Sequence, residues 1–268
     1  MKTLMFYSNV QPLNKEAHKN LKLELAEKPN FDFSKETNSV MIAMTELPIV
    51  SKHYVTAFAA LGAPETPMAE QNFALACVLG MRDNENIYVT EDGSWDADYV
   101  PAFVRRYPFV FAEADNQFTV CIDQDFSQFN DKKGEPLFDD KGEPTELLQR
   151  NIDFLQAFQR DAQATQDFIN KLKSLDLLEG ATSTMNLNSG ESLQLNGLYL
   201  VNEQKLTALS AEQLKELMTL GYLGLIYTHL LSLNNFNNLM DRMAARIAEE
   251  KDNESSDAKK PAKKAMVN

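Results

Sequence analysis

Three histidines, two cysteines and an aromatic run ending in paired arginines are the side chains of this chain best suited to chemistry. A structural or catalytic zinc needs three or four His, Cys or acidic ligands at turn or helix spacing. His18, His53 and His229 are far apart in sequence, and His53 has no ligand-type residue three or four positions away. His229 lies among Leu230, Leu231 and Leu233, the setting of a hydrogen-bonded, half-buried histidine that packs a helix. Cys77 (Ala-Cys-Val) and Cys121 (Val-Cys-Ile) sit in apolar runs without the basic or polar flank that activates a thiolate. They read as buried reduced thiols of a cytoplasmic protein, with a disulfide as the less favoured alternative. The acidic pairs Asp123/Asp125 and Asp139/Asp140 flank turns, but their spacing is not that of a calcium loop. There is no G-x-S-x-G elbow and no glycine-rich phosphate loop. The residues therefore predict no metal and no cofactor, leave catalysis undecided, and lean toward a non-enzyme.

The stretch with the most binding chemistry is 86–111, NIYVTEDGSWDADYVPAFVRRYPFVF, which holds the sole tryptophan. Asp92-Gly93 suits a tight turn after a strand at Ile87 and Val89. Trp95, Tyr99 and Phe103 recur every four residues, which predicts one face of a short helix ending at Arg105 and Arg106. Pro108 then stops the helix and Phe109–Phe111 starts a strand. Trp95, Tyr99, Arg105, Arg106 and Tyr107 form the candidate ligand-binding set, because aromatic faces with guanidinium groups suit a flat or anionic ligand or a protein partner. The plainer alternative is a core helix whose arginines pair with some of the 39 acidic residues.

The elements that would hold this segment are an α+β set. A chain of 268 residues with 44% hydrophobic content can bury a sizeable core. A formal charge of −13 argues against nucleic acid and anionic membrane as partners. No window reaches the ~18 uncharged apolar residues of a membrane helix, which predicts no membrane insertion. Residues 73–81 (FALACVLGM) read as a central strand buried on both faces. Tyr54, Phe58 and Leu61 suggest an amphipathic helix over 50–61, and Leu21, Leu23 and Leu25 a short strand. Pro144-Thr145 opens a long helix to Leu172, and the helical region ends at Gly180. Two strands flank an Asn188-Ser189-Gly190 turn, and Ser210 to Gln213 forms a capping box. A last helix covers 223–248. The expected fold is a mixed or antiparallel sheet with flanking helices and a C-terminal helical subdomain. Its organisation is 1–145 strand-rich, 146–249 helical, and 250–268 a disordered tail rich in Lys, Glu and Ser.

Five ordered blocks resemble the SapC family of bacterial proteins: 74–89 (ALACVLGMRDNENIYV), 95–109 (WDADYVPAFVRRYPF), 137–145 (LFDDKGEPT), 195–206 (LNGLYLVNEQKL) and 227–233 (YTHLLSL). The N-terminal arm and the C-terminal tail lie outside these blocks. This chain has Glu46-Leu47-Pro48-Ile49 where the family pattern reads Glu-Tyr-Pro-Ile. The resemblance implies association with a surface-layer locus, and a neighbourhood of tryptophan-halogenase-like flavoproteins, cupin-like oxygenases and outer-membrane receptors. It carries over no catalytic residue. The expected function is that of a non-catalytic accessory protein binding a small molecule or protein partner in a surface-layer, envelope or nutrient-utilisation setting. The alternative is an enzyme, or a partner of the halogenase-like or oxygenase systems.

Overall fold

A computed structural model describes residues 4–63, 66–68, 70–114, 117–186 and 192–257. Its strands are β1 (Val10–Pro12), β2 (Lys22–Leu23), β3 (Ser39–Met41), β4 (Thr56–Ala60), β5 (Phe73–Val78), β6 (Phe109–Ala114), β7 (Gln117–Asp123), β8 (Phe129–Asn130), β9 (Glu135–Pro136), β10 (Leu178–Asn186) and β11 (Ser192–Val201). Its helices are α1 (Leu47–Val50), α2 (Ala102–Arg105), α3 (Glu146–Ser174), α4 (Glu203–Thr207), α5 (Ala211–Thr219), α6 (Tyr222–Ser232) and α7 (Asn235–Asp257).

The fold is α+β, with a C-terminal helical region, and the described strand pairs are all antiparallel. The large sheet has the order β10-β11-β4-β5-β3; two small sheets run β1-β7-β6 and β8-β2-β9. Strand β5 is the buried strand that the apolar run predicts, paired on both sides and buried at every position. Register pairs Phe58 with Leu75 and Thr56 with Cys77, which puts these four side chains on one face. Phe58 meets Phe168 of α3 and His229 of α6, so both helices pack on that face.

Thr145 caps α3 by accepting from the Leu148 N–H. This helix spans two cores. Leu147, Leu148 and Leu155 join Phe109 and Ile122 of the β1-β7-β6 sheet. Phe168, Ile169 and Leu172 join the large-sheet core. The Ser210–Gln213 capping box is present, with Ser210 N–H donating to Gln213 Oε1 at 2.9 Å.

Five expectations are corrected. Residues 56–60 are strand β4, because pairing on both sides covers Ala57 as fully as Phe58 and leaves no polar face for a helix. Trp95 to Val100 is not helical; α2 is one turn that begins after Pro101, whose ring fits an N-terminus and not a helix interior. Gly180 lies inside β10, since α3 ends at Ser174. The expected last helix is two helices, broken at Leu233-Asn234, where the Asn235 side chain turns to donate to the Ser51 and Tyr54 carbonyls. Helix α7 also runs past Glu249 to Asp257, and Glu250 accepts from Arg82 at 3.0 Å. The Asn188-Ser189-Gly190 turn and residues 258–268 of the expected tail lie outside the described residues.

Candidate functional site

The site begins with a turn. Gly93 has φ +79°, which allows Val89 and Trp95 to form a bridge across Thr90–Ser94. A Cβ at Gly93 would lie 2.4 Å from the Asn30 side chain, and its carbonyl accepts from the Phe31 N–H at 2.8 Å. The arm carrying Phe31 and Phe33 is thereby held against the turn.

From Trp95 a chain of hydrogen bonds runs inward. Its Nε1 donates to Tyr54 Oη at 2.8 Å, and the Tyr54 hydroxyl donates to the Tyr99 carbonyl. The Tyr99 hydroxyl donates to Glu46 Oε1 at 2.8 Å. The Ala102 N–H, at the start of α2, donates to the same oxygen at 2.8 Å, and the Ala43 N–H to Oε2 at 2.9 Å. Burial and the neighbouring Glu46 carboxylate push the Tyr99 phenol up to about 12, so it stays a donor. Arg105 approaches from outside: Nη2 donates to Tyr99 Oη at 3.1 Å and Nε to the Val100 carbonyl at 2.9 Å. Its guanidinium lies over the Tyr99 and Phe154 rings, and it has no carboxylate partner among the described residues.

Arg106 takes another environment. Its guanidinium lies 4.0 Å from the Phe103 ring centroid and 5.2 Å from that of Phe158, and its buried Nε has no hydrogen-bond partner. Burial lowers its pKa, opposed by Tyr7 beside it. Tyr107 stacks on Phe33 at 4.1 Å and donates to Asp123 Oδ2 at 3.1 Å. Burial would raise the Asp123 pKa, but the Ser8 and Asn9 N–H groups and the Tyr107 and Ser8 hydroxyls outweigh it and hold the carboxyl below its usual value.

These elements frame a groove of about 500 Å³ between the arm, α2 and the Phe126–Gln128 loop. Leu25, Phe31, Phe33, Val100, Tyr107 and Phe126 are among the residues that line it, with the exposed Arg105 beside them. Of the five predicted residues, only Arg105 and Tyr107 line it. Trp95 is one ring removed, edge-on to Phe31 at 5.6 Å. Tyr99 supports Arg105 from behind, and Arg106 does not line the groove. Sequence reasoning missed Phe31, Phe33, Phe126, Tyr54 and Glu46. The Phe31/Phe33 alternation in a polar arm was a legible signal; nothing local marked Glu46 as buried.

His229 is not part of the groove. It is fully buried, with Nε2 accepting from the Val201 N–H at 3.3 Å. Nδ1 therefore carries the proton and donates to Thr56 Oγ1 at 3.0 Å. The Ser232 hydroxyl donates to the His229 carbonyl at 2.6 Å, and its oxygen accepts from the Thr56 N–H at 3.1 Å. Burial lowers the imidazole pKa to about 4. Among the described residues no three His, Cys, Asp or Glu side chains converge as metal ligands.

The groove's three lining segments, 25–33, 100–107 and 126–128, fall inside a stretch, residues 13–239, that matches the family model described as SapC. The chain belongs to the SapC family. The match begins at residue 13, so the SapC region takes in most of the N-terminal arm that the sequence blocks left outside. No curated protein and no solved structure matches the chain. In this SapC protein Leu47 is fully buried in the large-sheet core. No described helix is long and apolar enough to cross a membrane.

Proposed function

We propose that this SapC protein is a non-catalytic binding protein whose groove takes an apolar or aromatic group carrying one acidic function. One observation carries the reading: a ~500 Å³ apolar groove has in its lining an arginine without a carboxylate partner. The volume is that of ordinary ligand sites, and an arginine on an aromatic platform suits a carboxylate. The satisfied, buried state of His229 and the buried thiols of Cys77 and Cys121 support a binding role over nucleophilic catalysis. The free thiols support a cytoplasmic setting. The surface-layer or envelope context rests on the family resemblance.

Trp95 is the sole tryptophan and touches Phe31, so its emission reports on the groove. Titration with indole-3-acetate and with short peptides ending in an aromatic residue is expected to shift that emission. Neutral indole is expected to bind more weakly. Arg105→Ala removes a charge-assisted hydrogen bond, ~1.5–3 kcal/mol, so affinity falls roughly tenfold or more. Arg106→Ala is expected to leave affinity nearly unchanged. Equal loss in both variants, or no emission change with any acidic probe, would refute the assignment.

A further inference from the structure

Arg105 is exposed, yet its side chain is fixed by four contacts. Its Nε donates to the Val100 carbonyl at 2.9 Å and its Nη2 to Tyr99 Oη at 3.1 Å. The guanidinium carbon lies 5.3 Å from the Tyr99 ring centroid and 5.2 Å from that of Phe154. A guanidinium is a flat fork of five N–H groups, and a carboxylate can meet it along an edge with two parallel bonds. Both hydrogen bonds of Arg105 take the Nε–Nη2 edge. The Nη1–Nη2 edge keeps an N–H on each nitrogen, and no carboxylate among the described residues pairs with it. The phenol that receives Arg105 is itself fixed. Its proton goes to Glu46 Oε1, so toward Arg105 it only accepts, and the Tyr99 carbonyl is held by the Tyr54 hydroxyl. The same Glu46 oxygen accepts from the Ala102 N–H, at the start of the single turn that carries Arg105. One buried carboxylate thus sets both the helix turn under the arginine and the hydroxyl that meets it.

We infer that Tyr99 is the positioning residue of the groove: it holds Arg105 so that the Nη1–Nη2 edge grips the ligand's acidic function, a carboxylate, through two parallel N–H···O bonds. The inference rests on the reading of the groove as a binding site and narrows its ligand to a carboxylic acid. Tyr99 does not line the groove, so it acts on the ligand only through Arg105. An unrestrained arginine gives up rotamer freedom when it binds, whereas one already fixed by two hydrogen bonds and two rings gives up little. Two parallel bonds also require two coplanar acceptor oxygens, which a carboxylate has and an alcohol or a carboxamide lacks. Preference for an acid over its neutral analogue therefore depends on where the fork is held, and not on charge alone. A lysine at this position keeps the charge but has no fork. The phenol is neutral, so it receives the guanidinium without cancelling the charge that the ligand meets.

Isothermal titration calorimetry of the full chain with indole-3-acetate and with neutral indole tests this. Wild type is expected to prefer the acid. Tyr99→Phe keeps the ring and the cation but removes the hydroxyl that holds Nη2. It is expected to lower affinity for indole-3-acetate about tenfold and to leave affinity for indole within about twofold of wild type. Arg105→Lys is expected to lose the preference in the same way. A merely structural Tyr99 would weaken both probes alike, and that outcome overturns the inference, as does a Tyr99→Phe protein with the wild-type preference. Arg105→Lys with the wild-type preference also overturns it, because charge alone would then suffice. Each of these outcomes leaves the groove itself standing as a binding site. A wild type that binds neither probe, or binds both equally, overturns the groove reading and the inference with it.

Discussion

The Tyr99 hydroxyl donates to Glu46 Oε1 at 2.8 Å, across 53 positions of chain. This contact decides how the arginine-rich segment is presented. Glu46 is only 7% exposed, yet it is satisfied by neutral donors, the Ala43 and Ala102 N–H groups and the phenol. Arg105 donates to the same Tyr99 hydroxyl at 3.1 Å and makes no ion pair with the Glu46 carboxylate.

Glu46→Gln is therefore expected to be destabilising although it is nearly isosteric. One oxygen becomes an NH₂ that faces either the Ala43 N–H or the Tyr99 and Ala102 donors. The loss is expected to be about 2 kcal/mol, and for Tyr99→Phe about 1 kcal/mol. Urea unfolding measures both; a Glu46→Gln protein as stable as wild type would show that the carboxylate is not the anchor.

His229 sets a pH dependence. Its imidazole is held neutral in the fold down to about 4, whereas the unfolded chain takes up a proton near 6.5. Its contribution is complete above pH ~6.5 and falls as pH drops toward 4, because there the unfolded state binds the extra proton. The difference is on the order of 3 kcal/mol. His229→Asn is expected to flatten the stability profile between these values, checked by denaturation at each pH. A parallel profile for wild type and variant would contradict this.

Arg106 holds a buried charge over two aromatic rings without a carboxylate. Replacing such a group by an apolar side chain of similar reach removes a desolvation cost. Arg106→Met is expected to fold within about 1 kcal/mol of wild type or above it, while Arg106→Ala leaves a void and loses ~2 kcal/mol or more. Thermal unfolding of the two variants separates packing from charge; equal losses would assign the stabilisation to the charge itself.

Cys77 and Cys121 are free and buried, and burial raises both thiol pKa values. A disulfide reagent such as Ellman's is expected to label neither in the native protein and both in guanidinium chloride. Rapid native labelling of Cys121 would show that the β6–β7 hairpin opens.

Local patterning along the chain is enough to specify several elements. The FALACV run dictated a buried strand because none of its side chains is charged or strongly polar on either face. Thr145 and Ser210 set helix starts because a capping side chain acts within three residues. Asp92-Gly93 set the turn because only a glycine takes its positive φ at low cost. The five ordered blocks set the family. Tertiary structure decided the rest. Residues 56–60 became a strand because β5 and β11 were available on either side, a fact outside any local window. Arg105 and Arg106 are adjacent in sequence and chemically identical, yet α2 sends one to the groove and the other between Phe103 and Phe158. Glu46, Tyr99 and Phe31 come together only when three separate segments pack. Side-chain partnership across such distances is a property of the folded surface, and no spacing along the chain encodes it.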